Sequence, residues 1–298
     1  MKDRTDDEKL LDDLQQRLDV FRKAIREKDE LQKQLAQVNE KLDEAEAFKS
    51  HFIARISNEI INPFTSITTI ADNILRSDEQ DWEKVKKMTE HIYNEAFFLD
   101  FQLRNLFTAA RIESGLLEKE IVSTQPVELI ESGIKDFKKQ MEKKGLKLRK
   151  DVTIGDQQKL NTDPEKLKLI IKNLVSNAVK YSKDNSEIRL SATIDDEGLN
   201  FTLENEGEQI PEEQQETIFD RFRQLDTRIH SLNPGSGIGL SVCRELAETL
   251  EGAISASDTN KGMKFILTIP DSGEPIEGFD DTGDELFFDD SDTTGEIL

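Results

Sequence analysis

The sequence predicts an α+β protein in which an N-terminal coiled coil and an antiparallel helical hairpin precede an α/β two-layer sandwich, the hairpin completing a four-helix bundle in a dimer. Three observations carry that prediction. Apolar residues recur at three-four spacing over the first 45 positions, a second and nearly unbroken stripe runs from Val85 to Ala110, and alternating strand-like segments flank a strongly apolar helix further on.

In the first segment, residues 1–45, the apolar positions are Leu14, Leu18, Phe21 and Ile25, with a phase slip near Lys28 before Leu31, Leu35, Val38, Leu42 and Ala45. That is a coiled-coil seam with one discontinuity, and a dimer buries it. In the second, residues 46–115, the same helix continues through Phe48, Phe52, Ile56 and Ile60 to Pro63, which should bend it, and ends near Leu75. Ser77-Asp78-Glu79-Gln80 makes a polar turn before the second helix, whose stripe is Val85, Met88, Ile92, Ala96, Leu99, Leu103, Leu106 and Ala110.

Gly115 and Glu118 to Pro126 lead into a domain at 120–270. The pattern there predicts a helix over about 127–143, a strand over 146–152, a helix over 164–181, a hairpin of strands 187–194 and 199–204, a helix from Ile238 and a last strand over 263–269. Residues 271–298 hold eleven acids and no Lys or Arg, a composition that predicts a disordered acidic tail. Phe279-Asp280-Asp281-Thr282 and Phe288-Asp289-Asp290-Ser291 repeat a short unit within it, and such a segment can dock on a basic, apolar groove.

The formal charge is −22, from 62 acids against 40 bases, which disfavours nucleic acid or an anionic membrane surface as partner. No run approaches the roughly 20 apolar residues of a membrane span, and no secretory leader is recognisable, so a cytoplasmic protein is expected. The single cysteine, Cys243, reads as a small buried apolar side chain.

Residues 56–67 are Ile-Ser-Asn-Glu-Ile-Ile-Asn-Pro-Phe-Thr-Ser-Ile. This segment resembles the phospho-acceptor box of sensor histidine kinases, with Asn58 where the family has its histidine. An imidazole nitrogen attacks the γ-phosphorus of ATP, whereas the amide nitrogen of asparagine has its lone pair delocalised into the carbonyl. Glu59 then stands where the family's proton acceptor does, and Glu59 with Asn62 fits the pattern by which such proteins position water against the aspartyl phosphate of a response regulator. His51, His91 and His230 are better explained as solvated or packing residues than as substitute acceptors.

The second domain resembles the GHKL-type ATP-binding domain of the same family, related to gyrase-like and Hsp90-like ATPases. Asn173-Leu-Val-Ser-Asn177-Ala-Val-Lys180-Tyr181 is similar to the N box, with Asn173 and Asn177 on one helix face toward a magnesium triphosphate and Asn177 the residue that reaches magnesium through the nucleotide. Ile218-Phe219-Asp220-Arg221-Phe222 resembles the F box, which opens the family's lid. Gly235-Ser-Gly237-Ile-Gly239-Leu240-Ser resembles the glycine-rich turn that lets backbone approach phosphate at a helix N-terminus. One box departs: Asn205-Glu206-Gly207-Glu208-Gln209 replaces Asp-x-Gly-x-Gly, so the adenine amino group meets an uncharged acceptor, and Glu206 and Glu208 add negative charge.

The resemblance therefore implies a two-component protein that cannot phosphorylate itself in the usual way, with ATP and magnesium as its ligands. As partners it implies a homodimer or heterodimer with a histidine kinase and the receiver domain of a response regulator. The alternatives are a response-regulator phosphatase using Glu59 and Asn62, or a kinase acting on a partner in trans.

Overall fold

A computed structural model describes residues 17–18, 21–23, 25–39, 60–78, 81–155, 157–220 and 237–273. The chain divides into two compact units, Met1–Leu103 and Arg104–Leu298. In the first, residues 25–39 are helical with Leu31, Leu35 and Val38 exposed, and helix α1 covers 60–75. A turn at 76–78 precedes α2, Trp82–Glu113, which runs into the second unit. The predicted stripe residues Val85, Met88, Ile92 and Ala96 are half-buried on α2. Among the described residues no helix is long and apolar enough to cross a membrane.

The second unit follows as β1 (Val122–Thr124), α3 (Pro126–Lys135), α4 (Lys138–Lys143), β2 (Lys147–Thr153), β3 (Leu160–Thr162), α5 (Pro164–Tyr181), β4 (Glu187–Asp195), β5 (Gly198–Glu206), α6 (Glu212–Gln215), a 3-10 turn at Thr217–Phe219, α7 (Gly239–Thr249), β6 (Ala253–Asp258) and β7 (Gly262–Ile269). A five-stranded sheet has the order β2-β4-β5-β7-β6; β2 and β4 are parallel and the other pairs antiparallel, while β1 and β3 form a separate two-stranded ribbon.

The sheet is two-faced because its strands alternate. Ile188, Leu190 and Ala192 of β4, Leu199, Phe201 and Leu203 of β5, and Phe265, Leu267 and Ile269 of β7 are buried. The intervening positions form a polar face on which Glu187 pairs with Arg189, Glu204 with Lys264 and Glu206 with Lys261. Helices cover the apolar side. Leu167, Ile170, Ile171 and Leu174 of α5 are fully buried, each contributing about 1.5–3 kcal/mol. Helix α5 packs on β5 and between α3 and α7, and a Cβ at Gly133 of α3 would come within 2.7 Å of Ile171. This is the predicted two-layer sandwich.

Both ends of α5 are pinned. At its start Asp163, 3% exposed, accepts from the backbone N–H of Lys166 at 3.0 Å and from that of Glu120 at 2.9 Å, so one carboxylate caps the helix and ties in the chain before β1. At its end the Lys144 ammonium donates to the carbonyls of Val179, Lys180 and Ser182 at 2.9, 2.7 and 3.1 Å.

Two predicted elements differ. The single helix expected over 127–143 is two, because the backbone leaves helical geometry at Phe137 (φ −104°, ψ 6°), whose ring turns into the core at 1% exposure. The chain 253–258, not predicted as a strand, is β6 at the sheet margin. Cys243 is fully buried, its Sγ 3.7 Å from the Ile170 carbonyl, and burial pushes its thiol well above the ordinary range.

Asp163→Ala should lower unfolding stability by roughly 2–3 kcal/mol, combining a lost cap with a buried N–H left without its acceptor; urea denaturation of the two proteins measures it. Iodoacetamide should leave Cys243 unmodified in the native protein and label it after denaturation, as read by intact mass.

Candidate functional site

Helix α5 presents the asparagines of the N box at one turn's separation, and the two have different environments. Asn173 is 3% exposed: its amide donates to the Asn105 side-chain oxygen at 2.6 Å and to the Leu169 carbonyl at 2.9 Å. Its own oxygen lies at the start of α7, where a Cβ on Gly239 would come within 2.5 Å of it. Only glycine lets the helix N-terminus approach so closely. Asn177 is half-buried one turn on, and Lys180 lies 5.4 Å from the centroid of the Tyr181 ring, which is itself exposed.

The N-terminus of α7 has no side-chain cap. An anion placed there would meet the positive end of the helix dipole. Gly237 adopts φ +66°, a left-handed backbone that suits glycine, and Leu240 follows Gly239 within the first turn. Phe219 is buried beneath the Arg244 guanidinium, 4.5 Å from the ring centroid, and Arg244 also pairs with Glu216 at 2.9 Å.

The end of β5 meets the end of α5. Ser182 and Gly207 form a bridge, and the Gly207 N–H donates to the Lys261 carbonyl at 3.0 Å. A Cβ at Gly207 would sit 2.3 Å from the Tyr181 carbonyl oxygen and 2.9 Å from the Asn205 amide nitrogen. Asn205 is 5% exposed and its side-chain nitrogen has no hydrogen-bond partner among the described residues. A buried donor of that kind costs about 1–3 kcal/mol unless something accepts from it.

Of the acidic neighbours, Glu206 points to the polar face beside Lys261 at 3.3 Å, while Glu208 is exposed. Gln209 reaches away, its amide donating to the Thr259 carbonyl at 2.5 Å. An open cleft of about 540 Å³ beside this turn is lined by Tyr181, Lys183, Gly207, Glu208, Gln209, Asn260 and Lys261.

The structure thus brings Asn173 to Gly239, and Tyr181 and Asn205 to Gly207. Asn62 is exposed on α1 in the other unit, and His91 is exposed on α2. Asn58, Glu59, His51, Arg221, Phe222, Gly235 and His230 lie outside the described residues. Asn105 is the residue sequence reasoning missed: it lies beside a helical stripe and belongs to none of the recognisable boxes.

Residues 162–273 match the family model described as histidine kinase-, DNA gyrase B-, and HSP90-like ATPase. Among similar proteins, the adaptive-response sensory kinase SasA of Synechococcus sp. (strain JA-3-3Ab) is 28% identical over 244 residues, covering 80% of this chain and 63% of that one. The circadian input-output histidine kinase CikA of Synechococcus elongatus is 27% identical over 246 residues, covering 78% of this chain and 32% of its own length. The solved structure of Acinetobacter baumannii histidine kinase AdeS shares the fold, with TM-score 0.51 at 19% identity over 72% of this chain and 98% of that one. Over about four fifths of its length the chain is thus similar in sequence to histidine kinases. It spans under two thirds of the length of SasA and about a third of CikA.

Gly207→Ala should destabilise the domain by about 2 kcal/mol or more, since its methyl would overlap a backbone carbonyl that two strands and a helix hold in place. Thermal unfolding against wild type tests this.

Proposed function

We propose that this chain is a two-component signalling protein that has lost self-phosphorylation and works by binding, docking a receiver domain or pairing with an active histidine kinase. The observation that carries the reading is Asn58 at the acceptor position, an amide in place of an imidazole. Segments 1–45 and 46–115 serve as coiled coil and dimerising hairpin; the exposed Leu31, Leu35 and Val38 and the half-buried stripe of α2 support an apolar partner for both. Segment 120–270 serves as the nucleotide domain.

Retained magnesium-nucleotide binding is part of the proposal, and the residues present fit such a ligand. The uncapped N-terminus of α7 faces phosphate, Asn177 takes magnesium through the nucleotide, and Lys180 adds charge. Asn205 supplies a buried amide for the base in place of the family's carboxylate. The bound magnesium nucleotide would supply the phosphoryl group, and this chain's own contribution ends at holding it, because Asn58 offers no nucleophile.

Wild type given Mg-ATP should gain no phosphoryl group by intact mass, while Asn58→His should gain one on the introduced imidazole. A phosphorylated wild type would end the pseudokinase reading. Asn205→Asp should tighten binding of an adenine nucleotide analogue roughly fivefold in calorimetry, since a charge-assisted hydrogen bond exceeds a neutral one by about 1 kcal/mol. Equal affinity would remove Asn205 from base recognition.

A further inference from the structure

Strand β2 is the outermost strand of the sheet on its side, bonded to β4 alone among the described strands. Its outer edge presents backbone N–H and C=O groups that another extended segment can meet. In a chain of net charge −22 this edge is strongly basic: residues 135–150 hold eight Lys or Arg against two acids. Lys138 and Lys143 on α4 and Lys147 and Arg149 on β2 are exposed. Arg149 lies opposite Arg189 of β4, so Lys147, Arg149 and Arg189 share the polar face at this corner with Asp151 and with Glu187, which pairs with Arg189, whereas Leu148 and Val152 are half-buried toward the helix layer. The result is a basic rim with apolar side chains along its edge.

The complementary segment is in the same chain. Residues 274–298 contain ten acids and no base, interleaved with Ile276, Phe279, Leu286, Phe287 and Phe288. Their point of departure is fixed. Asp271 accepts from the backbone and side chain of Asn161 at 3.2 and 3.0 Å and from the Gly273 N–H at 2.9 Å. Just before it, the Ile269 carbonyl and Pro270 lie so close to Gly198 that a Cβ there would fall 2.2 and 2.6 Å from them. The segment therefore leaves beside the β4–β5 turn, at the sheet end where Thr153 of β2 pairs with Thr193.

From β7 to β2 is three strand spacings, about 15 Å, and 25 extended residues reach up to roughly 80 Å. We infer that the rim formed by α4 and β2 is the docking surface for this chain's own acidic segment 274–298. Carboxylates meet Lys138, Lys143, Lys147 and Arg149, and the interleaved Phe and Leu side chains meet Leu148 and Val152. Tethering supplies the effective concentration, on the order of millimolar, that individually weak surface ion pairs need. Screening sets the salt dependence, since the Debye length falls from about 10 Å at 0.1 M to about 3 Å at 1 M salt.

Zero-length carbodiimide coupling of the full chain, followed by peptide mass mapping, tests this. Asp and Glu of 274–298 should couple to Lys138, Lys143 or Lys147, and the yield should fall about tenfold in 1 M salt and likewise in the Lys147→Glu/Arg149→Glu variant. Coupling spread evenly over the surface lysines, or indifferent to both changes, overturns the inference. In an equal mixture of heavy- and light-isotope protein, same-isotope links support docking within one chain; mixed links overturn it in favour of a second copy's segment. The readout is independent of nucleotide and phosphate chemistry, so its failure leaves the signalling proposal standing.

Discussion

The carboxylate of Asp163 holds the head of α5 and the chain before β1 together in the second unit. It satisfies an otherwise orphaned N–H at the head of α5 and a second N–H from the chain before β1, so the helix cannot shift along its axis without exposing a buried polar group. Everything attributed to the site depends on that constraint. Asn173, Asn177, Lys180 and Tyr181 all stand on the last two turns or so of one helix, and their distances to α7 and β5 are set by where the helix begins.

The one-sided sheet explains why the polar boxes gather where they do. Strands β4, β5 and β7 bury alternate residues beneath α5 and α7, and β5 delivers Asn205 as the last inward-facing position before the chain turns at Gly207. An inward position is ordinarily apolar. A buried amide with an unmatched donor at that point departs from simple packing, and it is the observation that singles Asn205 out in the proposal above.

Much of this was legible from the sequence because it follows from period. The helix Pro164–Tyr181 and the strands of the β4–β5 hairpin announce themselves through apolar spacing of 3.6 and 2, and the Asp195 to Gly198 turn through its composition. What was not legible lacks such a signal. Strand β6 is Ala-Ile-Ser-Ala-Ser-Asp, whose short side chains carry little β preference and gain their conformation from pairing with β7. Strands β1 and β3 have three residues each. The break between α3 and α4 arises because Phe137 enters the core, a tertiary demand that overrides a locally helical pattern. Within the site, the N box and the glycine turn stood out by spacing, whereas Asn105 is visible only as a distance between side chains far apart in sequence.

Lys144 illustrates how narrowly chemistry can fit place. Its three ammonium protons face three carbonyls that fan out around the end of α5, an arrangement a planar guanidinium cannot reproduce and an acetylated amide, with one remaining donor, would leave largely unsatisfied. Loss of that ammonium would strand three carbonyls at once, so the last turn of α5, with Lys180 and Tyr181 on it, owes its shape to a side chain from a different helix end.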